Sequence, residues 1–270
     1  MKTKLLLILI SLSTFSTTFS QTEDEYIKLA IEKTKVGDYA NAIKHFDKAI
    51  ELNPKSSYSF NTRGGIKALM GNYKDAVKDF SKAIKLDPKN ADAYYNRGTS
   101  RHYLQKFKEA IKDYDMAIKI NPQHSKAYAN RALSKRSLKK FTEALDDYNK
   151  AIELNPEYMK AYYDRGNIYR DLEKYSDAIA DFQKALEFNP QFAEAYFSIG
   201  IAKNESKDYV GSIESYTKAI DLNPNDFRSY YMRGNSKKML NDKTGTCDDW
   251  QKAYDLGFQM AKITMNEYCK

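Results

Sequence analysis

The apolar positions of this chain are spaced for helices. Phe107, Ala110, Ile111, Tyr114, Ala117 and Ile118 recur at intervals of three and four, which puts them on one helical face. Asn121-Pro122 ends that helix, because the residue before a proline is pushed out of the helical region. Ahead of it, Tyr94, Gly98 and Leu104 mark a shorter helical stripe. Gly98 and Ala110 are small where the two helices must approach closely. The pair predicts a helix–turn–helix hairpin that cannot bury its apolar face alone. Stacking against copies of itself would bury it.

The copies are present. All six prolines, Pro54, Pro88, Pro122, Pro156, Pro190 and Pro224, lie 34 residues apart. Units therefore start at Glu23, Ser57, Ala91, Ser125, Met159 and Ala193, with a seventh, proline-less unit at Phe227. One column reads Tyr26, Phe60, Tyr94, Tyr128, Tyr162, Tyr196, Tyr230, and another Ala49, Ala83, Ala117, Ala151, Ala185, Ala219, Ala253. A fixed period of this length predicts a stacked helical array, and such arrays present binding surfaces more often than active sites.

These columns resemble the tetratricopeptide repeat (TPR) family over residues 23 to about 257. The eighth place of the unit is small: Ala30, Gly64, Gly98, Ala132, Gly166, Gly200, Gly234. The twentieth is Ala42, Ala76, Ala110, Ala144 and Ala178, drifting to Ser212 and Thr246. The twenty-fourth is aromatic: Phe46, Phe80, Tyr114, Tyr148, Phe182, Tyr216, Trp250. The resemblance implies an all-α, right-handed α-solenoid of seven units, 23–56, 57–90, 91–124, 125–158, 159–192, 193–226 and 227–257. A C-terminal capping helix over 258–270 would close it. These columns are packing residues in the family and do not specify a ligand.

One departure from the family is informative. The seventh place, usually apolar, carries Arg63, Arg97, Arg131, Arg165 and Arg233, with Leu29 and Ile199 in the other two units. The twenty-third carries Asp79, Asp113, Asp147, Asp181 and Asp249 in the same five units, with His45 and Ser215 elsewhere. Pairing within a unit leaves no partner missing, so an Arg–Asp ion pair is expected to join the two helices of each, in preference to an arginine ladder for an anionic ligand. The planar guanidinium suits this, since it can meet a carboxylate through two bonds.

After Leu256-Gly257 a further helix, roughly Phe258 to Tyr268, would cover the last apolar face. The two cysteines flank it: Cys247 lies ten residues before Gly257 and Cys269 twelve after it. An antiparallel hairpin would bring them level, and an exported protein would join them in a disulfide, with two reduced buried thiols as the alternative.

Export is expected from the first twenty residues. Lys2 and Lys4, the apolar run Leu5 to Ile10, and the small-x-small end Thr18-Phe19-Ser20 read as a signal peptide cleaved after Ser20. The apolar run is too short for a membrane anchor, and no cysteine stands near the site for lipidation. The expected location is periplasmic or extracellular, with no integral membrane segment once the leader is gone.

Composition narrows the function further. The 270 residues are 42% apolar and 30% charged, as in an ordinary folded protein. The formal charge of +8 falls to +6 without Lys2 and Lys4, and the lysines are interspersed with acids. The longest basic runs are pairs such as Lys139-Lys140, not the dense stripes of a nucleic-acid binder. His45, His102 and His124 stand in different units without metal-ligand spacing, and no catalytic or phosphate-loop motif occurs. The sequence thus predicts no enzyme, no metal and no cofactor.

In the family the first helices line a concave groove. Carried over by resemblance, the partner-binding residues here are Tyr95, His102, Arg136, Tyr163, Asn167, Arg170, Phe197, Tyr231, Asn235 and Lys238. The aromatic members could equally pack the edges between adjacent first helices. Lys126, Arg136, Lys160 and Arg170 outnumber Asp171 near the fourth and fifth units, which favours an acidic or carboxylate-ended peptide. The leading expectation is an envelope adaptor holding a protein or peptide in its groove. An envelope structural or glycan-associated protein, and a folding helper for exported chains, remain open beside it.

Overall fold

The structure is a computed structural model that describes residues 22–269; the expected leader, residues 1–20, lies outside them. Fifteen helices and no strand occur among the described residues. The first helices of the seven units are α1 (Glu23–Lys35), α3 (Ser57–Leu69), α5 (Ala91–Tyr103), α7 (Ser125–Ser137), α9 (Met159–Asp171), α11 (Ala193–Glu205) and α13 (Phe227–Met239). The second helices are α2 (Tyr39–Leu52), α4 (Tyr73–Leu86), α6 (Phe107–Ile120), α8 (Phe141–Leu154), α10 (Tyr175–Phe188), α12 (Tyr209–Leu222) and α14 (Lys243–Asp255). Each first helix begins at the residue where the repeat places a unit start. The closing helix α15 spans Gln259–Tyr268, with Phe258 as its N-cap rather than its first residue.

The turn inside each hairpin repeats as faithfully as the helices. Gly37, Gly71, Gln105, Lys139, Glu173, Lys207 and Asn241, each at the fifteenth place, all have positive φ. One left-handed residue stops the first helix and lets the following N–H groups bond back to its last carbonyls, as Asn72 N does to Lys67 O at 2.9 Å. Glycine adopts this conformation without strain in the first two units, whereas the exposed Gln105, Lys139, Glu173 and Lys207 are held there by the backbone hydrogen bonds of the turn, such as Lys106 N to Arg101 O at 2.8 Å.

Between the helices of a hairpin the small columns meet the aromatic one. The rings of Phe46, Phe80, Tyr114, Tyr148, Phe182, Tyr216 and Trp250 are almost wholly buried, as are the alanines facing them. A Cβ at Gly98 would stand 2.8 Å from the Tyr114 ring, so that ring sits where a side chain would otherwise be. From α3 to α13 the first helices of neighbouring units touch each other, and no comparable contact joins the second helices. The first helices therefore line the inner, concave side of the solenoid and the second helices the outer.

At the C-terminal end Trp250, Ala253 and Ala261 form a buried cluster with Phe227, Phe258, Met265 and Tyr268 packed on it. Cys247 and Cys269 form the expected disulfide, with Cα atoms 5.9 Å apart.

Candidate functional site

Two surfaces are built by the repeat: a ladder of ion pairs between the helices, and the concave wall. In the ladder each of the five arginines meets the aspartate of its own unit, as expected. Arg63 Nε lies 2.9 Å and Nη2 2.6 Å from the Asp79 carboxylate, and Arg97, Arg131, Arg165 and Arg233 hold Asp113, Asp147, Asp181 and Asp249 likewise. Each guanidinium also lies over the aromatic three residues earlier, between 5.4 and 5.6 Å from the ring centroid.

Two features of the ladder go beyond the sequence expectation. The free Nη1 reaches the second helix of the preceding unit, at Asp47, Ser81, Asp115, Asn149 or Thr217. Each arginine thus ties two units together. A second cation, Lys67, Arg101, Lys135 or Lys237, sits on the same aspartate in four of the five units. In the remaining unit that place holds Tyr169, and burial, not offset by Arg165 alone, pushes the Asp181 carboxyl up.

The concave wall presents most of its expected residues already engaged. Tyr95 is half-buried, its hydroxyl accepting from Asn130 Nδ2 at 3.1 Å and its ring 4.7 Å from that of His124. Tyr163 meets Ser198 Oγ at 3.2 Å and packs on Phe192 and Phe182. Phe197 lies against Tyr216 and under Arg228. Asn167 is buried and donates to its own helix at Tyr163 O. His102 Nδ1 lies 2.9 Å from Ser134 Oγ, and burial lowers its affinity for a proton. Arg136 and Arg170 both contact Asp171. These side chains pack the seams between adjacent first helices. The last three, Tyr231, Asn235 and Lys238, meet the capping region: Tyr231 touches Phe258 and Thr264, Asn235 accepts from Trp250 Nε1, and Lys238 lies over Tyr268.

The open part of the wall lies elsewhere, between the second and third units. A hollow of about 450 Å³ is lined by Gly65, Leu69, Tyr73, Phe80, Thr99 and Tyr103, among others. Gly65 puts no side chain into it, and a Cβ there would meet nothing within 4 Å. Tyr73 and Tyr103 stack in parallel at 4.7 Å to form one wall. Leu69 is 69% exposed and Tyr103 60%, although both are large and apolar. A smaller cavity of about 110 Å³ continues from Thr99 and Tyr103 to His102, Leu133 and Lys160.

Next along the wall stands Asp164, which the sequence did not single out. It is half-buried, with no hydrogen-bond or ion-pair partner among the described residues. Burial raises its carboxyl above the ordinary value, against the pull of Lys160 and Arg136. The local excess of positive charge is thus smaller than Asp171 alone would leave it. The groove floor has polar gaps too. Tyr114 donates to Thr99 and Trp250 to Asn235, each at the ninth place of its unit. Leu133 and Ile201 occupy that place beside Tyr148 and Tyr216, whose buried hydroxyls have no partner.

Among the described residues no group of His, Cys, Asp and Glu is arranged to hold a metal ion, and no helix is long and apolar enough to cross a membrane.

Sequence profiles of the tetratricopeptide repeat match residues 26–56, 91–124, 125–158, 160–192 and 193–226, and a TPR repeat profile matches 64–103. No curated protein matches the chain. Among solved structures, a tetratricopeptide repeat protein from Parabacteroides merdae superposes with a TM-score of 0.70 at 20% identity, covering 93% of this chain and 100% of that one. YrrB, described as a TPR protein with an unusual peptide-binding site, gives 0.58 at 23% identity, covering 72% and 97%. MamA gives 0.57 at 22% identity, covering 65% and 96%. At these identities the likeness speaks for the fold.

Proposed function

The chain belongs to the tetratricopeptide repeat family, and from that premise we propose that it is a non-enzymatic interaction scaffold holding a protein or peptide segment in its concave groove. The observation that carries this reading is the hollow between the second and third units. There Leu69, Tyr73 and Tyr103 form a contiguous apolar rim around a cleft, beside the side-chain-free Gly65. Such a cleft suits one bulky apolar side chain of an extended segment. The segment would run on past His102 toward Lys160 and Arg136, where an acidic residue or a carboxyl terminus would be favoured. YrrB, a TPR protein with an unusual peptide-binding site, is consistent with a groove ligand of this class.

The setting proposed is the cell envelope, periplasmic or extracellular. The leader-like residues 1–20 and the Cys247–Cys269 disulfide support it. N-terminal sequencing of the native protein tests it: a start at Gln21 supports export, and an intact Met1 in the cytosol opposes it.

Selection of random displayed peptides on the purified chain tests the binding reading. Enriched sequences should carry an aromatic or large aliphatic residue followed by an acidic one. A selection that enriches no sequence class would count against a groove ligand.

A further inference from the structure

The ion-pair ladder skips one internal unit, and the gap is open. In the sixth unit Ile199 stands where the arginine would be and Ser215 where the aspartate would be. A pocket of about 400 Å³ lies there between α10, α11 and α12. It is lined by Gln183, Tyr196, Ile199, Lys203, Ser215 and Lys218, together with Leu186 and Glu214. It shares no residue with the concave hollow.

The pocket keeps every part of the ladder except the pair itself. Tyr196 is the aromatic on which the arginine of another unit would lie, and no cation lies over it here. Gln183 occupies the place from which the preceding unit receives the arginine tip elsewhere. Lys203 corresponds to Lys67, Arg101, Lys135 and Lys237, which all bond the missing aspartate in their own units. Without it, Lys203 has no carboxylate within ion-pair distance among the described residues. Ser215 is buried and donates to Gly211 O at 2.8 Å, which leaves its lone pairs and nothing negative toward the pocket. Lys203 and Lys218 outweigh Glu214 in the lining, so an anion is favoured over a cation. The apolar surfaces of Leu186, Ile199 and Tyr196 can receive a short aliphatic stem.

We propose that this pocket docks an acidic side chain of a partner protein, whose carboxylate takes the position that the ladder aspartate fills in the other units and bonds Lys203. Four other units display the same contact internally, with Nζ or guanidinium to carboxylate distances of 2.7 to 2.9 Å. The site is on the flank of the solenoid and does not depend on the groove being a peptide site.

The probe is acetyl-Leu-Asp-Leu-amide, with acetyl-Leu-Asn-Leu-amide as its uncharged counterpart, titrated into protein carrying labelled Leu and Lys. The Leu186 methyl and Lys203 ε resonances should shift and saturate with the Asp peptide, and the Asn peptide should bind about tenfold more weakly. Lys203→Met should remove that preference. Ile199→Arg with Ser215→Asp should refill the gap with the pair used elsewhere and abolish the shifts while circular dichroism stays unchanged. If the refilled variant fails to fold, Lys203→Met decides alone. Equal shifts with both peptides, no shift at saturating millimolar peptide, or an undiminished Asp preference in Lys203→Met would each overturn the proposal.

Discussion

Arg131 and Asp147 are joined by two parallel hydrogen bonds, Nε to Oδ2 at 2.9 Å and Nη2 to Oδ1 at 2.6 Å. Lys135 adds a third contact to the same carboxylate, and Arg131 Nη1 reaches Asp115 in the preceding unit. The carboxylate is thus the hub of a buried network. Asp147→Ala should destabilise the protein by about 3 kcal/mol, because it leaves Lys135 without a carboxylate and Arg131 with Asp115 alone in a half-buried site. Replacing the pair as the sixth unit does, Arg131→Ile with Asp147→Ser, should recover most of that loss, since removing both partners leaves less charge unmatched. Urea denaturation of the two variants measures the difference. A double variant as unstable as the single one would mean that the ladder contributes through contacts other than charge.

The Tyr148 and Tyr216 hydroxyls are buried without a partner, whereas Phe46, Phe80 and Phe182 fill the same place without needing one. An unmet buried hydroxyl costs about 1–3 kcal/mol. Tyr148→Phe and Tyr216→Phe should therefore each stabilise by about 1 kcal/mol. Leu133→Thr should do the same at Tyr148 by copying the Tyr114–Thr99 bond. Thermal unfolding checks this, and a loss of stability in the Phe variants would reveal a bound water at the hydroxyl.

Asp164 gives a pH signature. Burial raises its carboxyl in the folded state above the ordinary 3.8, so the native chain holds that proton more tightly than the unfolded one. Its favourable contribution is present below the unfolded value and is lost as pH rises through the raised folded value. Asp164→Asn should match wild type in acid and exceed it in stability at neutral pH. Parallel melts across that range read the difference directly; an offset independent of pH would assign the effect to packing instead.

The disulfide closes a loop of 22 residues around the cap, for which chain entropy gives about 3 kcal/mol. Because each unit contacts only its neighbours, the effect should stay local. In Cys247→Ser with Cys269→Ser, amide hydrogens of α14 and α15 should exchange faster while those of α3 to α8 keep their wild-type rates. Uniform acceleration along the chain would show that the solenoid unfolds as one unit.

The array was readable from the sequence because the constraint on it is periodic. Each alanine facing a ring recurs at a fixed interval, and hairpin boundaries follow from proline and the unit length. The Arg–Asp ladder was readable for the same reason: the two residues are present or absent together. Its extension to the preceding unit was not, since Asp47, Ser81, Asp115, Asn149 and Thr217 share hydrogen-bonding capacity but not identity. The groove was the least readable. Tyr95 and Tyr163 stand at places that face the concave side, but rings of that size lean into the seam and find Asn130 and Ser198 there. The hollow is bordered by the bare backbone of Gly65 and by Tyr103 stacking across the units onto Tyr73, neither of which has a sequence pattern.

The groove reading turns on that hollow, and Gly65→Phe tests it most directly. Space is open around the position, so the new ring should fill the cleft while the helix is kept. Fluorescence anisotropy with the peptides selected on the wild-type chain reads the result. An unchanged circular dichroism spectrum and an affinity reduced by about tenfold or more are expected. Wild-type affinity in a folded Gly65→Phe chain would rule the hollow out as the peptide site.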